Sequence, residues 1–224
     1  MSVRFKPTIA VSIFLAAALL APTTARALVL GSAYFVPEAE SQNAVIGFAH
    51  GAPNATFSVP SPVNPACVAP STLCFNSSTG FTLGAFLTGG GATILTGTPA
   101  DLARNLDIGT SGTILEFLGT VSVTNGQTFT VTHDDGLQLM IGALLVIDQP
   151  GPTGPVTQTF TYTGPSGTFN FDLVFGECCG APAVLQISLP LVTPSVPEPG
   201  SLALLCSGLA GLGVLVLRRR RKTE

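Results

Sequence analysis

Tryptophan is missing, methionine and histidine occur twice each, and only 9% of the 224 residues are charged. With His50 and His133 as the only imidazoles, a Ser-His-Asp relay has few places to start, and no G-x-S-x-G elbow supplies its nucleophile. Neither a C-x-x-C pair nor a histidine ligand pattern points to zinc. Gly89-Gly90-Gly91 lacks the lysine and following Ser/Thr of a phosphate loop and reads as a flexible turn. Asp134 and Asp135 are adjacent, and adjacent carboxylates do not straddle a glycosidic bond at the required separation. These gaps argue against an enzyme. Cations are scarcer still in the middle of the chain. Arg4, Lys6 and Arg26 stand near the start and Arg218 to Lys222 near the end, which leaves Arg104 alone between Leu28 and Ser195. All of the 12 acidic residues except Glu198 and Glu224 fall in that same middle. Such a body cannot lay a basic track along phosphates, so nucleic acid is excluded as a partner, whereas divalent cations suit it.

The two ends carry what the middle lacks. Arg4 and Lys6 precede an apolar run from Ile9 to Ala21, and Ala25-Arg26-Ala27 places small residues where a signal peptidase reads them. Residues 1–27 are therefore expected to be a signal peptide cut after Ala27. At the other end, Ser201 to Leu217 carries no charge. As a helix it would span about 25 Å at about 1.5 Å per residue, the short limit for crossing a bilayer. Arg218 to Lys222 follow at once, and each cation costs about 2.5–3.5 kcal/mol at a membrane-helix centre, so residues 218–224 stay cytoplasmic and the body lies outside. The segment 192–200 reads as a linker, extended by Pro197 and Pro199, which cannot join a helix or a sheet ladder.

Val196-Pro197-Glu198-Pro199, then a short apolar helix over 201–217, then an arginine cluster, resembles the PEP-CTERM sorting signal. The resemblance implies export across the inner membrane of a Gram-negative bacterium, a membrane-anchored precursor, and cutting by an exosortase. The destination would be the cell surface or extracellular matrix.

The body, residues 28–191, shows period-two alternation and almost no helical periodicity. Thr128 to Thr132, Thr159 to Thr163, Thr168 to Leu173 and Val184 to Leu189 alternate, and Thr and Phe, which dominate them, favour strands. Gly, Pro and Asn divide these runs at short intervals. The expected fold is all-β, an antiparallel sandwich or barrel. Pro53 to Thr79 is expected to be a long loop, and Thr98 to Leu106 a short helix. Four cysteines, Cys67, Cys74, Cys178 and Cys179, suit an oxidising compartment and allow three pairings. Cys67–Cys74 would close a short loop and leave a vicinal pair at Cys178–Cys179. Alternatively, the vicinal pair staples the earlier loop to the later one.

Thr132-His133-Asp134-Asp135-Gly136 admits two readings. Asp135-Gly136 between alternating runs is a hairpin-turn signal, with His133 at a partly exposed strand end. Alternatively, two carboxylates and an imidazole at one point form a binding site. Asp134-Asp135-Gly136, Gly142, Val146-Ile147-Asp148, Phe169 to Phe175, Glu177, Gly180-Ala181 and Leu185 together resemble the protective-antigen-type β-sandwich. That domain is shared by a bacterial toxin, many carbohydrate-active enzymes and yeast adhesins. In the adhesins an Asp-Asp pair holds a calcium ion that also touches sugar hydroxyls. The resemblance therefore implies calcium at Asp134 and Asp135, with Glu177 standing where the adhesins place an Asn. The function expected is structural or adhesive, within extracellular polysaccharide or a biofilm matrix. A calcium-dependent carbohydrate-binding module is the alternative, and a secreted hydrolase a distant third.

Overall fold

The computed structural model describes residues 28–47, 50–60 and 72–192. The expected signal peptide, Cys67, the linker from 193 onward with Val196 to Pro199, the apolar span and the basic tail lie outside the described residues. Among the described residues no helix is long and apolar enough to cross a membrane.

Eleven strands and three short α-helices follow one another among the described residues. The strands are β1 (Leu28–Pro37), β2 (Ala55–Pro60), β3 (Leu73–Asn76), β4 (Thr93–Gly97), β5 (Ser111–Val123), β6 (Thr128–Asp134), β7 (Leu137–Ile141), β8 (Leu144–Gln149), β9 (Val156–Thr161), β10 (Gly167–Glu177) and β11 (Val184–Ile187). The helices are α1 (Glu38–Ser41), α2 (Leu83–Gly89) and α3 (Pro99–Ala103). A seven-stranded sheet runs β4-β2-β1-β5-β10-β7-β8, and a four-stranded sheet runs β3-β11-β6-β9. Every pairing between these strands is antiparallel. The architecture is the two-layered β-sandwich that the alternation foretold.

The alternation shows which face turns inward. In β5, Thr113, Leu115, Phe117, Val121 and Val123 are buried, and Leu118 beside Phe117 is exposed. In β6, Phe129 and Val131 turn inward, and in β10, Phe171, Leu173 and Phe175 do so. An aromatic chain joins the layers. Phe117 meets Phe57 edge-on at 5.4 Å and Phe75 at 5.4 Å, and Phe75 stacks on Phe86 at 5.6 Å. Phe57 and Phe117 belong to the larger sheet, Phe75 to the smaller, and Phe86 to α2. Aromatic pairs at such separations add about 0.5–1.5 kcal/mol each beyond the area they bury. A smaller cluster of Val36, Ala44, Ile114 and Val174 lies apart from the main core.

Two expectations need correction. Pro53 to Thr79 is not one long loop, because Ala55–Pro60 pairs with both β1 and β4 and Leu73–Asn76 pairs with β11. Ala55, Phe57 and Val59 alternate inward, as do Leu73 and Phe75, and this short-range alternation outweighs the Pro- and Ser-rich composition around it. The helix expected over 98–106 is found over the shorter span of α3, opened by a capping box between Thr98 and Asp101. Neither α1 nor the longer α2 was anticipated. Thr82 caps α2 by accepting from the Ala85 N–H, and its Leu83, Phe86 and Leu87 are buried. Gly89 and Gly90 at its end mask the signal.

Neighbours on one strand should therefore respond very differently to truncation. Phe117→Ala removes a fully buried ring and is expected to destabilise by about 3–5 kcal/mol, whereas Leu118→Ala should stay within about 0.5 kcal/mol. Urea unfolding midpoints of the two variants check this contrast.

Candidate functional site

Three connections meet at one end of the sandwich: β6 to β7, β8 to β9, and β10 to β11. Together they line a cleft of about 440 Å³ that includes Asp134, Asp135, Thr153, Cys178, Cys179 and Pro182. The first connection is not a hairpin. β6 lies between β11 and β9 in the smaller sheet, and β7 between β10 and β8 in the larger one, so Asp135-Gly136 carries the chain from one layer to the other. The Asp-Gly turn signal is thus corrected by the sheet order. Gly136 serves close approach instead: a Cβ there would lie 2.2 Å from the Pro150 carbonyl oxygen.

Asp135 ties the three connections together. One carboxylate oxygen accepts the Thr153 N–H at 3.1 Å and the other accepts the Cys178 N–H at 2.8 Å. His133 is in phase with Phe129 and Val131 and is 1% exposed, so it is a core residue and not a partly exposed strand end. Its Nδ1 donates to the Asp135 carbonyl oxygen at 2.5 Å. Burial lowers the pKa of this imidazole and favours its neutral form. Asp134 closes β6 opposite Val184 and lines the cleft. Burial, and then the charge of Asp135, raises its carboxyl to about 6. The Asp134–Asp135 and Ala181–Pro182 peptides are cis.

Glu177 is in phase with Phe171, Leu173 and Phe175 and is completely buried. Neither of its carboxyl oxygens finds a hydrogen-bond partner. Burial above all, then the charges of Asp135, Asp134 and Asp107, pushes it up to about 11, so it is a neutral acid at ordinary pH. Cys178 and Cys179 follow it. They are separate thiols, Cys178 buried and Cys179 exposed, and no disulfide occurs among the described residues. Burial, above all, raises the pKa of the Cys178 thiol. Cys179 has a left-handed φ of 64°, which is uncommon for a residue with a Cβ and turns the chain sharply before Gly180. Cys74 is a buried thiol in β3 opposite Gln186.

Of the three residues expected to hold calcium, two line the cleft. Calcium takes 6–8 hard oxygen ligands. Here Asp134 and Asp135 present carboxylates at the cleft, Asp135 held by two backbone N–H groups and close to the Cys178 and Cys179 sulfurs, while Glu177 is buried in the core. The roles of Thr153, Gly136 and the Cys178-Cys179 pair were not foreseen. The Pro- and Gly-rich segment from Pro150 to Pro155 marked a loop and gave no sign that its backbone would hold Asp135. For Glu177 a signal did exist, in its phase with Phe171, Leu173 and Phe175.

Residues 195–222 match the PEP-CTERM protein-sorting motif. No curated protein matches the chain. Among solved structures, the chain is similar to a PA14 sugar-binding domain from an RTX adhesin, at 18% identity and a TM-score of 0.49, covering 73% of this chain and 90% of that one. It is also similar to the PA14 domain of the MpAFP antifreeze protein, at 20% identity and a TM-score of 0.46, covering 75% and 86%. A β-glucosidase from Kluyveromyces marxianus is similar at 12% identity and a TM-score of 0.39, covering 73% of this chain and 16% of the enzyme.

Glu177 sets a pH dependence. An acid that holds its proton more tightly when folded contributes stability in full below its ordinary value of 4.5 and loses it as pH rises toward about 11. Asp134 acts with the same sign between 3.8 and about 6. Glu177→Gln keeps the shape and removes the titration. Its melting temperature should exceed that of the wild type at about pH 8 and fall less steeply with rising pH. Equal slopes in thermal melts across that range would refute the assignment.

Proposed function

We propose that the chain is the precursor of an exported surface protein, cut near its C-terminus by an exosortase, whose β-sandwich is a non-catalytic structural or adhesive module of the extracellular matrix. The observation that carries this reading is the sorting motif at 195–222 joined to a β-sandwich with an open cleft at one end that holds two carboxylates among prolines and glycines. The partners proposed are the exosortase, the membrane of the precursor stage, and extracellular polysaccharide held in the cleft. The polar groups there suit hydroxyl-rich ligands: Asp134 offers acceptor oxygens, while the flanking prolines and glycines leave room for a flat ring. A non-catalytic role fits the state of His133, which is buried, neutral and bonded to a backbone oxygen, and so is poorly placed as a base.

Two measurements test this. On a glycan array, the mature protein should be retained by extracellular polysaccharide fragments, and Asp134→Asn should weaken retention about tenfold, near 1.4 kcal/mol. Retention by no glycan would overturn the adhesive reading, and retention that vanishes with a calcium-selective chelator would replace it with a calcium-dependent lectin. For sorting, the mass of the surface product should show the tail removed in the wild type and kept in Glu198→Ala. A tail still attached in both would defeat processing at this motif.

A further inference from the structure

We infer that Asp135, Cys178 and Cys179 form a site for a thiophilic divalent cation of the zinc class, with the open cleft supplying the remaining coordination position. One carboxylate oxygen and the two Sγ atoms all lie within 4.8 Å of one another. Ligands of a tetrahedral zinc ion with Zn–S bonds of about 2.3 Å stand about 3.8 Å apart, so small side-chain rotations close the remaining gap. Thiolate sulfur selects zinc-like ions over calcium or magnesium, which require hard oxygen. The first ligand is already oriented, because Asp135 is held by the Thr153 and Cys178 N–H groups, the kind of outer support that metal-binding carboxylates use.

Charge points the same way. Arg104, the one Lys or Arg among the described residues, is engaged elsewhere, with its guanidinium 3.9 Å above the Phe35 ring and bonded to Ser111. Asp134 and Asp135 therefore face the cleft with no lysine or arginine of the described residues beside them. Binding would release both thiol protons to solvent, and the cation would take two thiolates and one carboxylate while water fills the open position. Two adjacent cysteines rarely reach one ion from a regular strand or helix. Here the positive φ of Cys179 breaks the strand alternation that would send successive side chains to opposite faces.

The inference rests on the cleft but not on carbohydrate binding, so the two can fail separately. The full chain, purified in detergent and reduced before metal addition, is dialysed against zinc alone and then against buffer. Metal content should show one zinc retained per chain in the presence of excess calcium. Cobalt in place of zinc should give a thiolate-to-cobalt charge-transfer band with the intense visible absorption of tetrahedral coordination. Cys179→Ser, at an exposed position that spares the fold, should lose retained zinc and weaken the band, and Cys178→Ser should do the same. Glu116→Gln, on β5 and outside the cleft lining, should keep both signals. The site is refuted by any of three results: no zinc retained by the wild type, retention unchanged in Cys179→Ser, or a Cys178–Cys179 disulfide in protein collected from outside the cells without reductant.

Discussion

One carboxylate organises the working end of this protein. Asp135 accepts N–H groups from Thr153 and Cys178, and its own carbonyl accepts from His133. Those contacts join the connections that follow β6, β8 and β10. Other backbone bonds, such as that from the Gly176 N–H to the Gly136 carbonyl, hold single connections, but the Asp135 side chain links all three and so offsets their separate ordering entropies. Hydrogen bonds to a carboxylate are worth more than neutral ones, about 1.5–3 kcal/mol each where they are shielded. The cleft follows from this tie, as does the nearness of Cys178 and Cys179 to Asp135.

The tie holds only because the two sheets are already locked behind it. Phe75 from the smaller sheet lies against Phe117 from the larger, and Phe86 of α2 packs on Phe75. Asp135-Gly136 crosses between the layers at the edge of this core, with Gly136 pressed against the Pro150 carbonyl. A side chain at Gly136 would push the β6–β7 crossing away from the β8–β9 loop, and the Thr153 N–H would move with that loop. Core packing and site geometry are therefore one problem here.

The sequence displayed the architecture through alternation. Thr128 to Thr132, Thr168 to Leu173 and Val184 to Ile187 became strands because Phe, Val, Leu and Ile recur at every second place, and burial rewards that pattern directly. Asp134 and Asp135 were legible as candidates because adjacent carboxylates are conspicuous in a chain with few charges, and both line the cleft. What stayed hidden depended on tertiary pairing. An Asp-Gly dipeptide between two strands looks the same whether it turns back within one sheet or crosses to another, and only the neighbours of β6 and β7 decide. The loop expected over 53–79 hid β2 and β3, since short strands flanked by proline are outvoted by composition. Glu177 could have been placed inside by its phase with Phe175, but a carboxyl group in the core runs against the usual rule that charges stay outside.

The three neighbouring carboxyl groups show how environment assigns roles to chemically similar side chains. Like charges this close cannot all ionise at once, so the surroundings decide which gives way. Glu177 is fully buried with no hydrogen-bond donor among the described residues, and burial pushes its carboxyl up to about 11. Asp134, at the cleft wall, is raised only to about 6 and so carries its charge at neutral pH. Asp135 has two backbone donors aimed at its oxygens, and it lies beside the sulfur atoms. Neutralising Glu177 lowers the local negative charge by one, which leaves Asp134 and Asp135 to define the field of the cleft. The Asp135 carboxylate lies beside the two thiols, and the Asp134 carboxylate stands at the cleft wall. Hard carboxylate oxygen and softer thiol sulfur thus share one wall of the cleft, so the environment that keeps Glu177 protonated also fixes which donors are left to meet an ion.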